Sequence, residues 1–285
     1  MKIALIYETK QVYHSGQYFL YAFQQLGHKV EHFDLNSLKD IPKTYDLYLR
    51  TDDGYYNFIW PQDIKERSTY WICDTHLKKP AKKMRKLSHS FGKCFFAHYT
   101  SGIKTLSKIK NFSEDFYWLP FACDPQIHAS LQKKVNIEPI YDIAFVGNEG
   151  NIPRKFILHE LRERYTKSYI GYADFRKMGT VYSYSKIGFN YSINNDLNSR
   201  IFEIMATGRM LITNNINDSK FLELFKNREN IVVYNNVEEL FSLIEYYLKH
   251  EDEREAIALK GQNLVLSQHT YLHRAQEILK VCGLQ

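Results

Sequence analysis

The segment 194–215, NNDLNSRIFEIMATGRMLITNN, combines a helix start with side chains that suit phosphate and sugar groups. Asp196 or Asn198 can cap a helix that begins near Ser199, because short polar side chains accept hydrogen bonds from first-turn N–H groups. The N–H groups of such a helix start form a natural cradle for phosphate. Arg200 adds a fork of donors that matches phosphate oxygens. The segment therefore predicts an anion site at the start of this helix.

Glu203 lies one turn beyond Arg200, where its carboxylate can accept hydrogen bonds from both hydroxyls of a ribose. We expect the helix to span Asn198–Thr207 and to end at Gly208, a residue type favoured just past a helix. A buried strand, Met210–Thr213, follows at once. The alternative is a plain surface ion pair between Arg200 and Glu203, which are three residues apart.

A second phosphate-binding pattern lies at 145–155, FVGNEGNIPRK. A strand, Gly147, a short polar loop that begins at Asn148, and a helix opened by proline together form a typical phosphate-binding geometry. Arg154 and Lys155 fall in the first turn of that helix, where positive charge opposes the helix dipole. An anionic ligand would offset this unfavourable placement, so we predict that both cations face a phosphate group.

These patterns resemble a known family. The order Asn-x-Arg-x-Phe-Glu at 198–203, followed by Ala-x-Gly and a hydrophobic strand, resembles the donor-site helix of retaining GT-B glycosyltransferases. It is most similar to the branch of CgeB-like spore maturation proteins. Four further segments resemble that branch, in the expected order along the chain: YWICDTHL at 70–77, WLPFACDPQIH at 118–128, YDIAFVGN at 141–148 and HTYLHRAQEIL at 269–279.

The resemblance implies an α/β protein with the GT-B fold, in which two Rossmann-like domains face each other across a cleft. It implies a nucleotide-diphosphate sugar as co-substrate, most often a UDP-sugar, with no cofactor and no metal. One position departs from the family pattern. Many retaining GT-B enzymes carry two glutamates eight positions apart, and here Glu203 matches the second while Asn195 occupies the first. In the family the first glutamate touches the donor sugar, so the identity of the sugar stays open.

In similar enzymes two further loops approach the donor. The loop Ile170–Phe175, which ends another strand, would bring Gly171 and Tyr172 near the nucleotide base. The loop Tyr13–Gly16 would face the phosphates or the sugar, and Gly16 there lets the backbone approach a ligand. An ordinary turn is the alternative in both places, with Ser15 as a helix cap in the second.

Asp74 and His76 follow a predicted strand, Tyr70–Cys73. Ligands bind at the carboxyl ends of strands in open α/β sheets, and either side chain could take a proton from an acceptor hydroxyl as general base. The family resemblance implies that the pair lies at the cleft. The alternative is that Asp74 caps the next helix.

Six of the nine residues at 78–86, KKPAKKMRK, are basic. Helical spacing after the proline places Lys82, Arg85 and Lys86 on one side, because residues three and four apart are neighbours. Such a stripe favours an acceptor with a phosphate backbone, such as DNA, RNA or teichoic acid. A solvated helix face is the alternative.

Short apolar runs alternate with amphipathic stretches, as in parallel sheets that are covered by helices on both faces. The predicted strands are Ile3–Tyr7, Val30–Phe33, Leu47–Arg50, Tyr70–Cys73, Cys94–Ala97, Tyr117–Phe121, Ile143–Val146, Ser168–Tyr172, Ile187–Tyr191, Met210–Thr213 and Ile231–Tyr234. Residues 124–140 have no clear period and predict a linker. We therefore predict a Rossmann-like acceptor domain over 1–130, a donor domain over 135–265, and a last helix within 266–285 that crosses back to the first domain.

The composition is globular, with a formal net charge of +6 over 285 residues. None of the four cysteines has CxxC spacing, which indicates neither a zinc nor a redox motif and suits a reducing cytoplasm. No stretch approaches the length of apolar sequence that spans a membrane, so we expect no transmembrane segment.

The sequence thus predicts an enzyme that moves a sugar from a nucleotide-diphosphate sugar to a hydroxyl acceptor, with retention implied by the resemblance. Two alternatives stay open. One is a glycosyltransferase that acts on hydroxymethylated pyrimidines of DNA, which the basic run motivates. The other is a non-catalytic GT-B-fold binding or structural protein, which Asn195 motivates.

Overall fold

The computed structural model describes residues 1–9, 15–129 and 137–285. The strands are β1 (Lys2–Ile6), β2 (Lys29–Phe33), β3 (Leu47–Thr51), β4 (Ser68–Ile72), β5 (Lys93–Phe96), β6 (Phe116–Trp118), β7 (Tyr141–Val146), β8 (Ser168–Gly171), β9 (Ser185–Asn190), β10 (Met210–Asn214) and β11 (Val232–Tyr234). The helices are α1 (Ser15–Gln25), α2 (Lys78–Ser88), α3 (Tyr99–Leu106), α4 (Phe112–Asp115), α5 (Pro125–His128), α6 (Arg154–Arg164), α7 (Phe175–Ser183), α8 (Ser199–Ala206), α9 (Phe221–Leu224), α10 (Val237–Lys249), α11 (Glu251–Gln268) and α12 (Tyr271–Val281).

The chain divides into two compact units. Met1–Pro120 with Tyr271–Gln285 form the first unit, and Phe121–Thr270 form the second. The break precedes the predicted linker, because the backbone N–H of Cys123 donates to the carbonyl of His269 (2.9 Å) within the second unit. The first part of that predicted linker is the helical turn α5, and its residues 130–136 lie outside the described residues.

The first unit is built on a parallel sheet with strand order β2-β1-β3-β4-β5-β6. Its central strands β3 and β4 are buried along their whole length, because helices cover a parallel sheet on both faces. One face packs against α2 and α3 through Ala81, Met84 and Leu106. On the other face Phe19 of α1 contacts Trp71 and Tyr271, so the last helix of the chain completes this unit.

The second unit is built on a parallel sheet with strand order β11-β10-β9-β7-β8. The helices α6, α10 and α11 pack on one face of it. On the other face α8 packs closely against β9, where a Cβ on Gly188 would lie 2.3 Å from a methyl group of Ile204. The glycine thus allows the donor-site helix predicted from the sequence to lie directly on the sheet.

Each sheet has one point at which the strand order reverses. In the second unit β8 lies on one side of β7 and β9 lies on the other, so the loops after β7 and β9 leave in opposite directions. A crevice forms at the carboxyl ends of such strands and is where ligands bind in this class of sheet. The topology therefore predicts a ligand site near Gly147, which follows β7, and Tyr191, which follows β9.

Candidate functional site

Gly147 begins the loop after β7 and has a φ of +140°, a conformation that side chains rarely adopt. A Cβ at this position would lie 2.5 Å from Nη2 of Arg200. The backbone N–H of Gly147 donates to the carbonyl of Gly171 (2.9 Å), which ends the neighbouring strand β8. Glycine is required here both by its backbone conformation and by the close approach of the guanidinium.

Arg200 lies in the first turn of α8, and its guanidinium is held by fixed partners. Nε donates to the carbonyl of Val146 (3.0 Å), and Nη1 donates to Oδ1 of Asn190 (3.0 Å). Asn190 is fully buried and its own amide donates to Oγ1 of Thr213 (2.9 Å), so its orientation is fixed as well. The guanidinium is therefore positioned before any ligand arrives, with Nη2 against the main chain of Gly147.

Arg154 opens α6 and connects the two loops that border the crevice. Nε donates to the carbonyl of Glu149 (3.0 Å) and Nη2 to that of Asn148 (2.7 Å), both in the loop after β7. Nη1 donates to the carbonyl of Tyr191 (3.2 Å), which follows β9. These three bonds leave two of the five N–H groups of a guanidinium for other partners.

Arg154 and Arg200 form a pair of positive charges on one aromatic ring. Their Cζ atoms lie 5.6 Å and 4.5 Å from the centroid of the Phe145 ring. Within the described parts of the chain neither guanidinium forms a salt bridge. Burial and then the charge of Arg200 lower the pKa of Arg154 to about 10, which still leaves it charged at neutral pH. Two partly buried cations held this close are relieved by an anion between or beside them.

Glu203 lies on the buried side of α8 and is 6% exposed, which excludes the alternative of a surface ion pair with Arg200. Burial raises the pKa of Glu203, and the charge of Arg200 with a hydrogen bond from Ser199 partly offsets that shift. A desolvated carboxylate gains from any hydroxyl that donates to it. Glu203 therefore has the character expected of a group that binds a diol.

The start of α8 lacks the side-chain cap that the sequence predicts. Asn198 occupies the N-cap position in an extended conformation but its side chain accepts no N–H from the helix, and its Oδ1 is buried without a hydrogen-bond partner. Asp196 bonds instead to Ser192, whose Oγ lies 2.8 Å from both Oδ1 and N of Asp196. In the part of the chain that is described, the first-turn N–H groups thus have no side-chain acceptor, a state that suits an anion.

The remaining predicted donor residues of the second unit lie in the loop after β7, in α6 and at the end of β8. Oδ1 of Asn148 accepts the N–H of Gly150 (2.7 Å) and so shapes the loop after β7. Lys155 is exposed on α6, and no contact joins its side chain to the rest of the described site. Gly171 ends β8 with open space around it, and Tyr172 is 61% exposed just beyond it.

The loop after β1 is described only from Ser15 onward, and Tyr13 and His14 lie outside the described residues. Ser15 is the first residue of α1, and Gly16 is buried beside it. A Cβ on Gly16 would lie 2.4 Å from the ring of Tyr7, so this glycine permits close packing of α1 on the residue that follows β1.

Asp74 and His76 follow β4 in the first unit, and both are half-buried. Asp74 does not cap the next helix, because the N-cap position of α2 is Leu77. The backbone N–H of Asp74 donates to Oδ2 of Asp52 (3.3 Å), and the His76 ring lies 5.2 Å from that of His98, measured between centroids. Asp74 therefore lies as a half-buried carboxylate just beyond the end of a central strand.

A buried charge network at the ends of β1, β3 and β4 was not predicted from the sequence. Asp53 accepts from Nη1 of Arg50 (2.7 Å) and from the backbone N–H of Glu8 (2.8 Å). Asp52 accepts the N–H of Cys73 (3.0 Å). These carboxylates tie three strand ends together, and the signal that reveals them is an acidic pair directly after a buried strand.

Three further residues of the second unit were also missed. The ring of Phe145 packs against the guanidiniums of both Arg154 and Arg200. Asn190 orients Arg200, and the Tyr182 hydroxyl accepts the N–H of Val146 (2.9 Å). Burial raises the pKa of Tyr182 to about 12. Of these, Asn190 had a recognisable signal, since it is a polar residue at the carboxyl end of an apolar strand.

The basic run of the sequence forms the exposed face of α2. Lys82, Lys83 and Lys86 are exposed, Arg85 is half-buried, and Ala81 and Met84 on the opposite face are buried. Among the described residues no helix is both long and apolar enough to cross a membrane.

Comparison with solved structures shows the same fold in several glycosyltransferases. HepE from Anabaena, in complex with UDP-glucose, is 10% identical over 100% of both chains, with a TM-score of 0.65. Sucrose-phosphate synthase from Thermosynechococcus elongatus is 10% identical over 98% of both chains, with a TM-score of 0.67. A mutant of S. aureus TarM, in complex with fondaparinux, alpha-GlcNAc-glycerol and UDP, is 10% identical over 87% of this chain and 58% of that one, with a TM-score of 0.64.

These likenesses show the fold, and the predicted α/β class with two Rossmann-like units of the GT-B type is confirmed. Sequence comparison with curated proteins finds no match. The description "glycosyl transferase-like" belongs to a family whose pattern matches residues 128–280, more than half of the 285 residues. The chain is therefore a member of the glycosyl transferase-like family.

Proposed function

We propose that this protein transfers a sugar from a nucleotide-diphosphate sugar to a hydroxyl acceptor, with UDP as the nucleotide. The observation that carries this proposal is the pair Arg154 and Arg200 on the ring of Phe145, at the carboxyl ends of β7 and β9. Solved structures of the same fold support the choice of nucleotide, because HepE is seen with UDP-glucose and TarM with UDP.

Each part of the donor has a matching group in the second unit. The diphosphate would accept hydrogen bonds from Nη2 of Arg200, from the remaining N–H groups of Arg154 and from the start of α8. Glu203 would accept the ribose hydroxyls. Gly171 and Tyr172 would border the base, and Lys155 would add long-range positive charge at the mouth of the site.

The chemistry then needs stabilisation of a leaving group and removal of a proton. The bond between the anomeric carbon and the diphosphate oxygen breaks, and the electron pair leaves with the diphosphate. Arg154 and Arg200 stabilise that developing negative charge from preorganised positions. The acceptor oxygen bonds to the anomeric carbon, and its proton passes to Asp74, with His76 as the other candidate base.

Two finer points of the proposal rest on resemblance to retaining enzymes of the CgeB-like branch. The sugar keeps its anomeric configuration, and no metal is needed because guanidiniums and a helix start supply the positive charge. The position of the family's first glutamate is Asn195, which is exposed and has a φ of +53°. Asparagine tolerates this left-handed conformation well, so the loop shape itself favours asparagine there.

A thermal-shift screen of nucleotide-sugars, followed by an assay of UDP release, tests the proposal. A ligand that binds only the folded state raises the Tm, so UDP and a UDP-sugar should both raise it. Arg200→Ala should remove that shift and slow UDP release by about 100-fold or more. Arg164→Ala, which removes a partly exposed arginine at the far end of α6, is the matched control and should behave like the wild type.

Two results would contradict the proposed function. If Arg200→Ala binds UDP as tightly as Arg164→Ala does, the diphosphate site is wrong. If UDP-sugars bind but no UDP is released with any acceptor, the protein is a binding protein with this fold. If UDP is released, comparing DNA that contains hydroxymethylated pyrimidines with teichoic acid as acceptors distinguishes the acceptor classes that the basic run suggests.

A further inference from the structure

The excess positive charge of this protein is confined to its first unit. That unit has 20 Lys and Arg residues against 13 Asp and Glu residues, a formal charge of +7, whereas the second unit has 18 against 19 and a formal charge of −1. Within the first unit the charge is further concentrated. The stretch 75–113 contains nine lysines and one arginine and not a single aspartate or glutamate.

This stretch contains two neighbouring helices, α2 and α3, on one face of the first sheet, with β5 between them in sequence and Lys108 and Lys110 just after α3. Two hydrogen bonds hold the turn before α2 against α3: the hydroxyls of Thr75 and Ser101 lie 2.7 Å apart, and Oγ1 of Thr105 donates to the carbonyl of Thr75 (2.7 Å). The outward sides of the two helices are therefore adjacent parts of one surface. We call it the basic surface and define it by Lys78, Lys79, Lys82, Lys83, Arg85, Lys86, Lys104, Lys108 and Lys110.

The positive charges of the basic surface have no salt-bridge partner within the described part of the chain. None of its members forms a salt bridge with another described residue, and all are exposed except Arg85, which is half-buried. Lys78 and Lys79 lie in the first turn of α2, which contains no acidic residue, so they oppose the helix dipole. An external anion would offset both the mutual repulsion and this placement.

We propose that the basic surface docks on the anionic headgroups of a phospholipid membrane. Clusters of four to eight basic residues on an amphipathic helix are typical of binding to acidic lipids. Two large apolar side chains, Leu77 and Ile103, are exposed in the same stretch at 39% and 37%. Leu77 is the N-cap residue of α2 and Ile103 lies in α3, where they would meet the interfacial region of a bilayer.

A nucleic acid is the less suitable partner for this surface. Sites for phosphodiester chains favour arginine, whose planar fork matches phosphate and stacks on bases, and exposed aromatic rings. The basic surface has one arginine, and the aromatic residues of the stretch, Phe91, Phe95, Phe96, Tyr99 and Phe112, are buried or half-buried. Flexible, point-like ammonium groups suit the diffuse negative potential of a lipid surface better.

Co-sedimentation with vesicles tests this docking independently of the proposed donor chemistry. The protein should bind vesicles of equal parts phosphatidylglycerol and phosphatidylcholine at low salt, and it should not bind vesicles of phosphatidylcholine alone. Added salt should release it, because exposed charges are screened over about 10 Å at 0.1 M. Each basic residue contributes about five-fold to binding, so Lys82→Glu with Lys104→Glu should weaken it by about 30-fold or more.

The matched control is Lys177→Glu with Lys260→Glu, which makes the same change of charge at two exposed lysines of the second unit. It should bind like the wild type. If the reversed pair at Lys82 and Lys104 unfolds, as judged by circular dichroism, the neutral pair Lys82→Gln with Lys104→Gln replaces it and should weaken binding by about 30-fold. Three results would each overturn the proposal. They are an equal loss of vesicle binding in the Lys82 and Lys104 pair and in the control pair, no binding to acidic vesicles at low salt, and tight binding of duplex DNA in place of vesicles.

Discussion

Gly147→Ala is the change that most directly tests how the anion site is built. The new Cβ would lie 2.5 Å from Nη2 of Arg200, whereas ordinary contacts begin near 3.4 Å, so the guanidinium must move by about 1 Å. That movement breaks or lengthens the 3.0 Å bonds from Nε to Val146 and from Nη1 to Asn190. The φ of +140° adds backbone strain of about 1–3 kcal/mol.

We expect a lower Tm in thermal unfolding, and a loss of UDP affinity of about 10-fold or more in calorimetry, since hydrogen bonds to charged groups are worth about 1.5–3 kcal/mol. Gly27→Ala in the first unit is the matched control. Gly27 has a φ of +80° and an added Cβ would meet nothing within 4 Å, so the change brings backbone strain without displacing a guanidinium. It should lower the Tm and leave UDP affinity unchanged. The reasoning is refuted if Gly147→Ala binds UDP as tightly as Gly27→Ala.

Glu203→Gln should raise the Tm of the ligand-free protein and remove most of the shift caused by UDP. The folded state raises the pKa of Glu203 above the ordinary 4.5, so the wild-type protein loses stability as the pH rises past that value. The gain in Tm from glutamine should therefore be larger at neutral pH than below pH 4.5. An equal gain at both pH values would contradict this. Arg200→Lys should weaken UDP binding by about 10- to 150-fold in calorimetry, because an ammonium cannot replace the fork that bonds Val146 and Asn190. Asp74→Asn should leave UDP affinity unchanged and slow transfer by about 100-fold or more, and unimpaired transfer would move the role of base to His76.

Much of the fold could be predicted because parallel strands buried on both faces leave continuous apolar runs. Residues 143–146 show this clearly: all four are buried, and the predicted strand lies inside β7. The sequence also predicts a helix with Arg154 and Lys155 in its first turn, and α6 begins at Arg154. By contrast α7, FRKMGTVYS, contains a glycine, a threonine and a valine, which lower its helix propensity, and its local signal is Asp174, whose side chain caps the first turn.

The site could be predicted by residue type but not by contact. Gly147, Arg154 and Arg200 are brought together at the carboxyl end of β7. Their partners are main-chain carbonyls and a buried asparagine from another strand, which come together only through the strand order. The cap at Asn198 shows the limit of local rules, because its side chain does not bond to the helix it precedes.

The position of α12 has a consequence for how the protein is made. Tyr271 is 1% exposed and packs against Tyr18 and Phe19 of α1, with ring centroids 4.9 Å and 5.1 Å away. Nε of Arg274 donates to the carbonyl of Pro120 (2.8 Å). The part of this unit that precedes Phe121 is thus completed only after the second unit has been synthesised, since its core waits for α12 to leave the ribosome. During that interval the rings of α1 lack their cover, so the nascent chain exposes aromatic surface of the kind that chaperones recognise.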